Sequence, residues 1–303
     1  MEVSVMPNTT KPICTGCAAA LVTPFKSDLS IDEPSLRRLI RLQNDMDAIV
    51  VLGTTGEPCS LSMEERERVI LIAVEESKIP VIVGTGSNDT RKAIEYAKQA
   101  SRLGAAGQLA VTPYYNKTST AGLLRHYNAI LDSSPLPLIL YNVPSRTGMS
   151  MTAKEAASLA IHPNIAGLKE ASGNLSLTAD ILAATDGTLP LYCGNDDLIL
   201  PMMAMGAADA ISVTANIVPL QVRSIVKACL SGCLAQAQAA HNALLPLMRA
   251  LFSEVNPIPV KAALSMMGLI EETLRLPLTQ LEYPQRSNLK QALLDAGIIA
   301  ESA

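Results

Sequence analysis

The sequence predicts an α/β fold, a (β/α)8 or TIM barrel with a C-terminal helical extension. Eight short apolar, β-rich runs recur along its 303 residues, at 19–23, 48–52, 81–84, 108–112, 137–141, 166–170, 191–194 and 210–213. The first five steps between runs are each about 30 residues, the size of a βα unit with its return loop. The runs are nearly continuous in apolar residues, which is the pattern of strands buried on both faces of a parallel sheet. Eight such units close most naturally into a barrel. An open doubly wound sheet is the alternative, and it normally has fewer strands.

Helix signals fall between the runs. Asp32 with Pro34 opens a segment whose Leu36, Leu39 and Ile40 share one face. Ser62-x-x-Glu65 and Thr152-x-x-Glu155 read as capping boxes, each satisfying free amides of a first helical turn. Leu123, Leu124, Tyr127, Ile130 and Leu131 form another helical stripe. After Val213 the alternation of strand and helix stops. Residues 218–303 read as helices, broken at Ser231-Gly232, Asn256-Pro257-Ile258-Pro259 and Pro277. The chain therefore divides into an N-terminal extension (1–13), a barrel (14–231) and a helical extension (232–303). The last is expected to serve packing or oligomerisation.

Composition narrows the partners. Hydrophobic residues make up 49% of the chain, yet no apolar run reaches the ~18–20 residues of a membrane span. The most apolar stretch, 198–213, is interrupted by Gly206 and Asp209. Residues 1–12 carry Glu2 and two prolines with no apolar core, unlike a secretory signal, so a cytoplasmic location is expected. Basic and acidic residues, 24 and 28, are interspersed for a net charge of −4, and neither a nucleic-acid surface nor a membrane anchor is expected. Cys14-x-x-Cys17 invites a zinc or redox reading, but His126, His162 and His241 are the only histidines and lie far away in sequence. Free thiols and no metal are expected.

In a barrel the working residues sit at the carboxyl ends of the strands and on the loops that follow. Five polar clusters fall there: Gly53-Thr54-Thr55-Gly56-Glu57, Pro113-Tyr114-Tyr115-Asn116, the stretch 141–148, Lys169-Glu170, and Gly194-Asn195-Asp196-Asp197. Lys169 is the most informative, because it ends an apolar run assigned to an interior strand. A charged lysine is costly to bury unless paired. An ordinary amine, with a pKa near 10.4, is neutral in only about four molecules in ten thousand at pH 7, and burial favours the neutral form that attacks carbonyls. The alternatives are a lysine paired with a neighbouring carboxylate and one snorkelling from the strand end. Three of the seven tyrosines (Tyr114, Tyr115 and Tyr141) fall at strand ends in a chain with two phenylalanines and no tryptophan, so aromatic residues were not simply core filler. Neighbouring strands lie ~4.8 Å apart, which brings Tyr141 within reach of Lys169 for proton transfer. Core tyrosines with satisfied hydroxyls are the alternative.

The glycine-flanked Thr54-Thr55 pair lacks the Gly-Lys-Ser/Thr element of a phosphate loop but offers amides and hydroxyls suited to a carboxylate. Gly84-Thr85-Gly86 misses the dinucleotide fingerprint, because residue 89 is aspartate. Arg146 is a candidate carboxylate clamp, or else a solvent-facing arginine.

Residues 53–57, 112–116, 141–148, 167–173 and 211–216, with 256–261 and 274–277, together resemble the 4-hydroxy-tetrahydrodipicolinate synthase family, formerly dihydrodipicolinate synthase. The likeness runs in order from about Gly16 to the last helix. It implies condensation of pyruvate with L-aspartate 4-semialdehyde, on the route to diaminopimelate and lysine, with no cofactor. Carried over, Lys169 resembles the Schiff-base lysine and Tyr141 the general acid/base. Thr55, Tyr115 and Tyr141 resemble a proton relay, and Tyr114 the tyrosine that crosses into a neighbouring subunit's site. The backbone at Thr54 and Thr55 matches the pyruvate-carboxylate site; Gly194 and Ile211 match positions that border the substrate through main-chain groups; Arg146 resembles the mouth residue that recruits the semialdehyde carboxylate. The family also implies a homo-oligomer, a dimer or tetramer. Other pyruvate Schiff-base aldolases share single motifs, and a catalytically silent paralogue would keep the fold. One departure stands out. Where lysine-inhibited members carry a glutamate for the inhibitor's amine, this sequence has Lys92, and Pro58, Met63 and Arg66 are also atypical, so weak or absent inhibition by lysine is expected.

Overall fold

Eight parallel strands close into a barrel in chain order: β1 (Gly16–Ala20), β2 (Ala48–Val51), β3 (Val81–Gly84), β4 (Gly107–Val111), β5 (Leu138–Asn142), β6 (Ile165–Glu170), β7 (Leu191–Cys193) and β8 (Asp209–Ser212), with β8 pairing back to β1. The computed structural model describes residues 11–300; most of the segment read as an N-terminal extension, residues 1–10, lies outside them. Each strand matches its sequence run to within a residue or so except β1. There the run at 19–23 is replaced by a strand starting at Gly16, whose ladder with β8 pairs Gly16 with Asp209 and Ala19 with Ser212. Leu21 and Val22 are buried in the irregular segment that follows, where the Leu21 amide still donates to the Val50 carbonyl, and apolar character alone does not separate such a segment from a ladder strand.

The connecting helices are α1 (Glu33–Leu42), α2 (Met63–Glu76), α3 (Thr90–Arg102), α4 (Thr120–Ser133), the single turn α5 (Pro144–Thr147), α6 (Ala153–Ala160), α7 (Leu175–Ala184) and α8 (Ile199–Ala204), with α9 (Pro219–Leu230) after β8. Both capping boxes are present: Ser62 and Glu65 close the start of α2, and Thr152 and Glu155 that of α6. Asp32 caps α1 through the Ser35 amide, with Pro34 in the first turn. On α4, Leu123, Tyr127, Ile130 and Leu131 are buried as one stripe.

Strand alternation splits the core into two layers. Ala18, Ala20, Val50, Ile82, Leu109, Ile139, Tyr141, Tyr192 and Ile211 fill the barrel interior. Their neighbours, among them Ala19, Ile49, Val83, Leu140 and Leu168, face outward and pack beneath the helices. Every strand is thus buried on both sides, which accounts for its unbroken apolar composition. At the amino end, Asp47 accepts from Arg223 Nε at 2.9 Å and Nη2 at 2.6 Å. Asp209 accepts from the Gly16 amide where β8 meets β1. Burial pushes the Asp209 carboxyl up to about 8, with Asp47 adding to the effect.

Beyond α9 come α10 (Leu234–Leu251), α11 (Ile258–Met266) and α12 (Gln285–Asp295), and no strand occurs there among the described residues. α10 packs on α8 and α9, and the chain then returns over the carboxyl face of the barrel. Packing is therefore only part of what the extension does. All six cysteines are free, and burial pushes the Cys14 and Cys17 thiols well up. No helix among the described residues is long and apolar enough to cross a membrane.

Candidate active site

Lys169 and Tyr141 face each other across the β5–β6 ladder. Pairing begins with Leu138 opposite Ile165, then slips by one residue so that Ile139 meets Gly167 and Tyr141 meets Lys169. This β-bulge at Ala166–Gly167 is decisive, because without it Tyr141 would lie opposite the outward-facing Leu168. Gly167 is required at the bulge: its φ is +148°, and a Cβ there would sit 2.5 Å from the Pro190 carbonyl oxygen and 2.5 Å from the Tyr192 ring. Both side chains point inward, with Lys169 5% and Tyr141 7% exposed. The lysine Nζ lies 4.7 Å from the centre of the Tyr141 ring.

No carboxylate pairs with Lys169 among the described residues. The nearest in sequence, Glu170, points to the other side of the strand, where it accepts from Asn142 Nδ2 at 2.7 Å and the Ser172 amide at 2.5 Å. The reading of Lys169 as half of an ion pair therefore has no partner to support it. Room for the lysine comes from the residue just after β7: a Cβ on Gly194 would lie 2.9 Å from Lys169 Cε and 2.6 Å from Ala171 Cβ. Ile211, on β8, is fully buried in the same inner layer. Asp196, in the loop after β7, accepts from the Val213 and Thr214 amides at 3.1 and 2.6 Å and ties that loop to the end of β8.

The loop after β2 folds as a 3-10 turn over Thr54–Gly56. As the first residues of a helical turn, Thr54 and Thr55 present amides that the turn itself does not use, a cradle suited to a carboxylate. Thr55 is buried, and its Oγ1 accepts from Asn256 Nδ2 at 2.9 Å. The Asn256 carbonyl accepts from Arg146 Nη2 at 3.1 Å, which holds that exposed side chain at the mouth. Glu57, in a left-handed conformation with φ 52°, forms an ion pair with Lys261 at 2.6 Å.

The tyrosines of the β4 loop lie differently. Tyr114 turns back onto its own chain, half-buried beside Ser87 and Asn88, and burial pushes its pKa up. Tyr115 is 91% exposed at φ 69°. No hydrogen bond joins it to Thr55 or Tyr141 among the described residues, so the three-membered relay is not assembled within one chain. Lys92 is exposed on α3, while Arg66 is buried on α2 with its guanidinium 3.9 Å over the Tyr96 ring and Nη2 donating to the Gly84 carbonyl at 2.7 Å.

Residues 14–296 match the profile of the dihydrodipicolinate synthetase family. The chain belongs to that family. Relatives within it include the 4-hydroxy-tetrahydrodipicolinate synthase of Geobacter sp. (strain M21), 48% identical over 88% of this chain and 93% of that protein. The enzyme of the same name from Syntrophotalea carbinolica is 45% identical, over 94% and 99%. Among solved structures, the chloride-inhibited dihydrodipicolinate synthase of Acinetobacter baumannii, complexed with pyruvate, superposes with a TM-score of 0.92 at 44% identity, covering 94% of this chain and 99% of that one. In this dihydrodipicolinate synthetase family member, sequence reasoning did not foresee Asn256, Glu57 or Lys261 as parts of the mouth. The signal was present in the stretch Asn256–Lys261, which reads locally as a proline break; its contacts reach 201 and 204 positions back along the chain.

Proposed function

We propose that the chain is a lyase that condenses pyruvate with L-aspartate 4-semialdehyde to 4-hydroxy-tetrahydrodipicolinate, through a Schiff base on Lys169. The observation that carries this reading is the Lys169 amine itself: buried at the carboxyl end of an interior strand, without a carboxylate partner, and registered opposite the Tyr141 phenol. In this scheme Nζ attacks the pyruvate carbonyl and water leaves as the iminium forms. The iminium accepts electrons from the methyl C–H bond, and the resulting enamine attacks the aldehyde. The semialdehyde's amine then closes the ring and releases Lys169. The electron sink is the iminium, so the reaction needs no cofactor or metal.

The roles follow from position. Tyr141 moves protons at the imine. Thr54 and Thr55 hold the pyruvate carboxylate by their amides, and the Thr55 hydroxyl adds a proton path. Gly194 and Ile211 border the adduct. Arg146, held at the mouth, takes the semialdehyde carboxylate through its planar fork. The working form is a homo-oligomer, a dimer or tetramer. The exposure of Tyr115 favours moving the cross-subunit role from Tyr114 to Tyr115: Tyr115 is the one free to reach a second copy, and Tyr114 supports the loop from within. We also place the enzyme in the cytoplasm and retain the division into a barrel at 14–231 and an extension at 232–303. Lys92 supports weak or absent inhibition by lysine.

The test is turnover of pyruvate plus L-aspartate 4-semialdehyde in a reductase-coupled assay, for wild type and Lys169→Ala. Turnover that disappears in the variant is expected. No wild-type turnover, with borohydride still trapping pyruvate on Lys169, would instead assign another pyruvate aldolase. Absence of that adduct would overturn the catalytic reading.

A further inference from the structure

Thr55 Oγ1 is buried and makes one hydrogen bond among the described residues, as acceptor from Asn256 Nδ2 at 2.9 Å. A hydroxyl has one hydrogen, and a partner that donates to its oxygen leaves that hydrogen for another direction. The Asn256 backbone is held in place. Its carbonyl accepts from Arg146, and five residues further on Lys261 is locked to Glu57, two residues beyond Thr55. The side-chain Oδ1 has no hydrogen-bond partner among the described residues, so the bond to Thr55 is the side chain's one polar contact. Thr55 and Glu57 of the β2 loop are thus tied to Asn256 and Lys261 of the C-terminal extension by two buried contacts.

We propose that Asn256 is a positioning residue: its amide donor turns the Thr55 hydroxyl hydrogen into the barrel mouth, toward the Lys169 adduct and the Tyr141 phenol. The inference rests on Lys169 forming an imine with pyruvate, as argued above. Asn256 touches no reacting atom in this scheme and acts through Thr55. Because Arg146 is held by the backbone carbonyl, side-chain substitution at residue 256 isolates the Thr55 branch. Asn256→Asp has nearly the same shape but offers only acceptors, so the Thr55 hydrogen must turn away from the mouth to meet it.

The experiment is exchange of the pyruvate methyl hydrogens for solvent deuterium, followed by NMR with pyruvate alone, on the full-length protein. It reports enamine formation without needing the second substrate. Asn256→Ala and Asn256→Asp should each slow exchange about 10–100-fold, the usual cost of misplacing a catalytic group, with the KM for semialdehyde unchanged within about twofold. In a Thr55→Val background, Asn256→Ala should add no further loss, because the group it acts through is gone. Exchange at the wild-type rate in Asn256→Asp, or losses that multiply in the double variant, would overturn the proposal. Wild-type protein that exchanges but does not use the semialdehyde would sink the assigned reaction and leave this inference standing. Wild-type protein that does not exchange at all would sink both.

Discussion

Lys261 Nζ lies 2.6 Å from Glu57 Oε1, and both side chains are closed off from solvent. The pair joins the C-terminal extension to the loop that carries Thr55, and the ammonium also lies 4.2 Å from the Phe25 ring. Burial pushes the Lys261 pKa down while Glu57 opposes it. Removing one member leaves the other as an uncompensated buried charge, so Lys261→Met should cost about 3–5 kcal/mol. Replacing both, as in Lys261→Met with Glu57→Gln, should recover part of that loss. Urea unfolding of the three proteins measures it, and a double variant less stable than Lys261→Met alone would contradict this account.

Gly194 should tolerate no side chain without disturbing the lysine. The methyl of Gly194→Ala would have to displace Lys169 Cε, 2.9 Å away, or Ala171 Cβ, 2.6 Å away. Overpacking of this kind costs about 1–3 kcal/mol in stability, and pushing the amine out of line should slow adduct formation about 100-fold. Mass spectrometry after borohydride trapping with pyruvate gives the rate. Unaltered trapping would show that the spacing at β7 does not set the lysine's position.

Stability should fall as pH rises toward 8. The Asp209 carboxyl sits at about 8 in the folded chain against an ordinary value of 3.8. A folded-state pKa above the unfolded one means that the folded chain holds the proton more tightly. The stabilisation is complete below pH ~4, declines as pH rises, and is gone once the folded group has titrated near 8. Asp209→Asn keeps an oxygen for the Gly16 amide and has no proton to lose, so its stability should vary less over that window. Denaturation midpoints of the two proteins across pH 5–9 decide it; parallel curves would remove Asp209 as the cause.

Lysine at large excess should inhibit turnover weakly or not at all. In the inhibitor site that the resemblance implies, Lys92 stands where lysine-inhibited members carry a glutamate, and the buried Arg66 covers the Tyr96 ring at 3.9 Å. Lys92→Glu should raise sensitivity. Steady-state inhibition curves test this, and strong inhibition of the wild-type protein would refute it.

Much of the site can be located without coordinates. Lys169 stands out because a long cationic side chain ends an apolar run, and Tyr141 because it ends the run before. Asp32, Ser62 and Thr152 mark helix starts through hydrogen bonds made within four residues. Asn256 and Lys261 are different. Nothing near them in sequence says what they bind, since Thr55 and Glu57 come from the second βα unit and meet them only when the extension folds back across the barrel.

The sequence by itself determined the number and order of the strands, the interior placement of Lys169 and the chemistry its neighbours can support, because burial on two faces and helix capping leave local patterns of period and residue type. Only the tertiary structure decided that a bulge at Ala166–Gly167 sets Tyr141 opposite Lys169, that Tyr115 projects away from its own chain while Tyr114 folds back on it, and that Asn256 donates to Thr55. A register slip of one residue leaves composition unchanged yet turns every following side chain to the other face. Contacts between residues some 200 positions apart exist only once the barrel has closed beneath them.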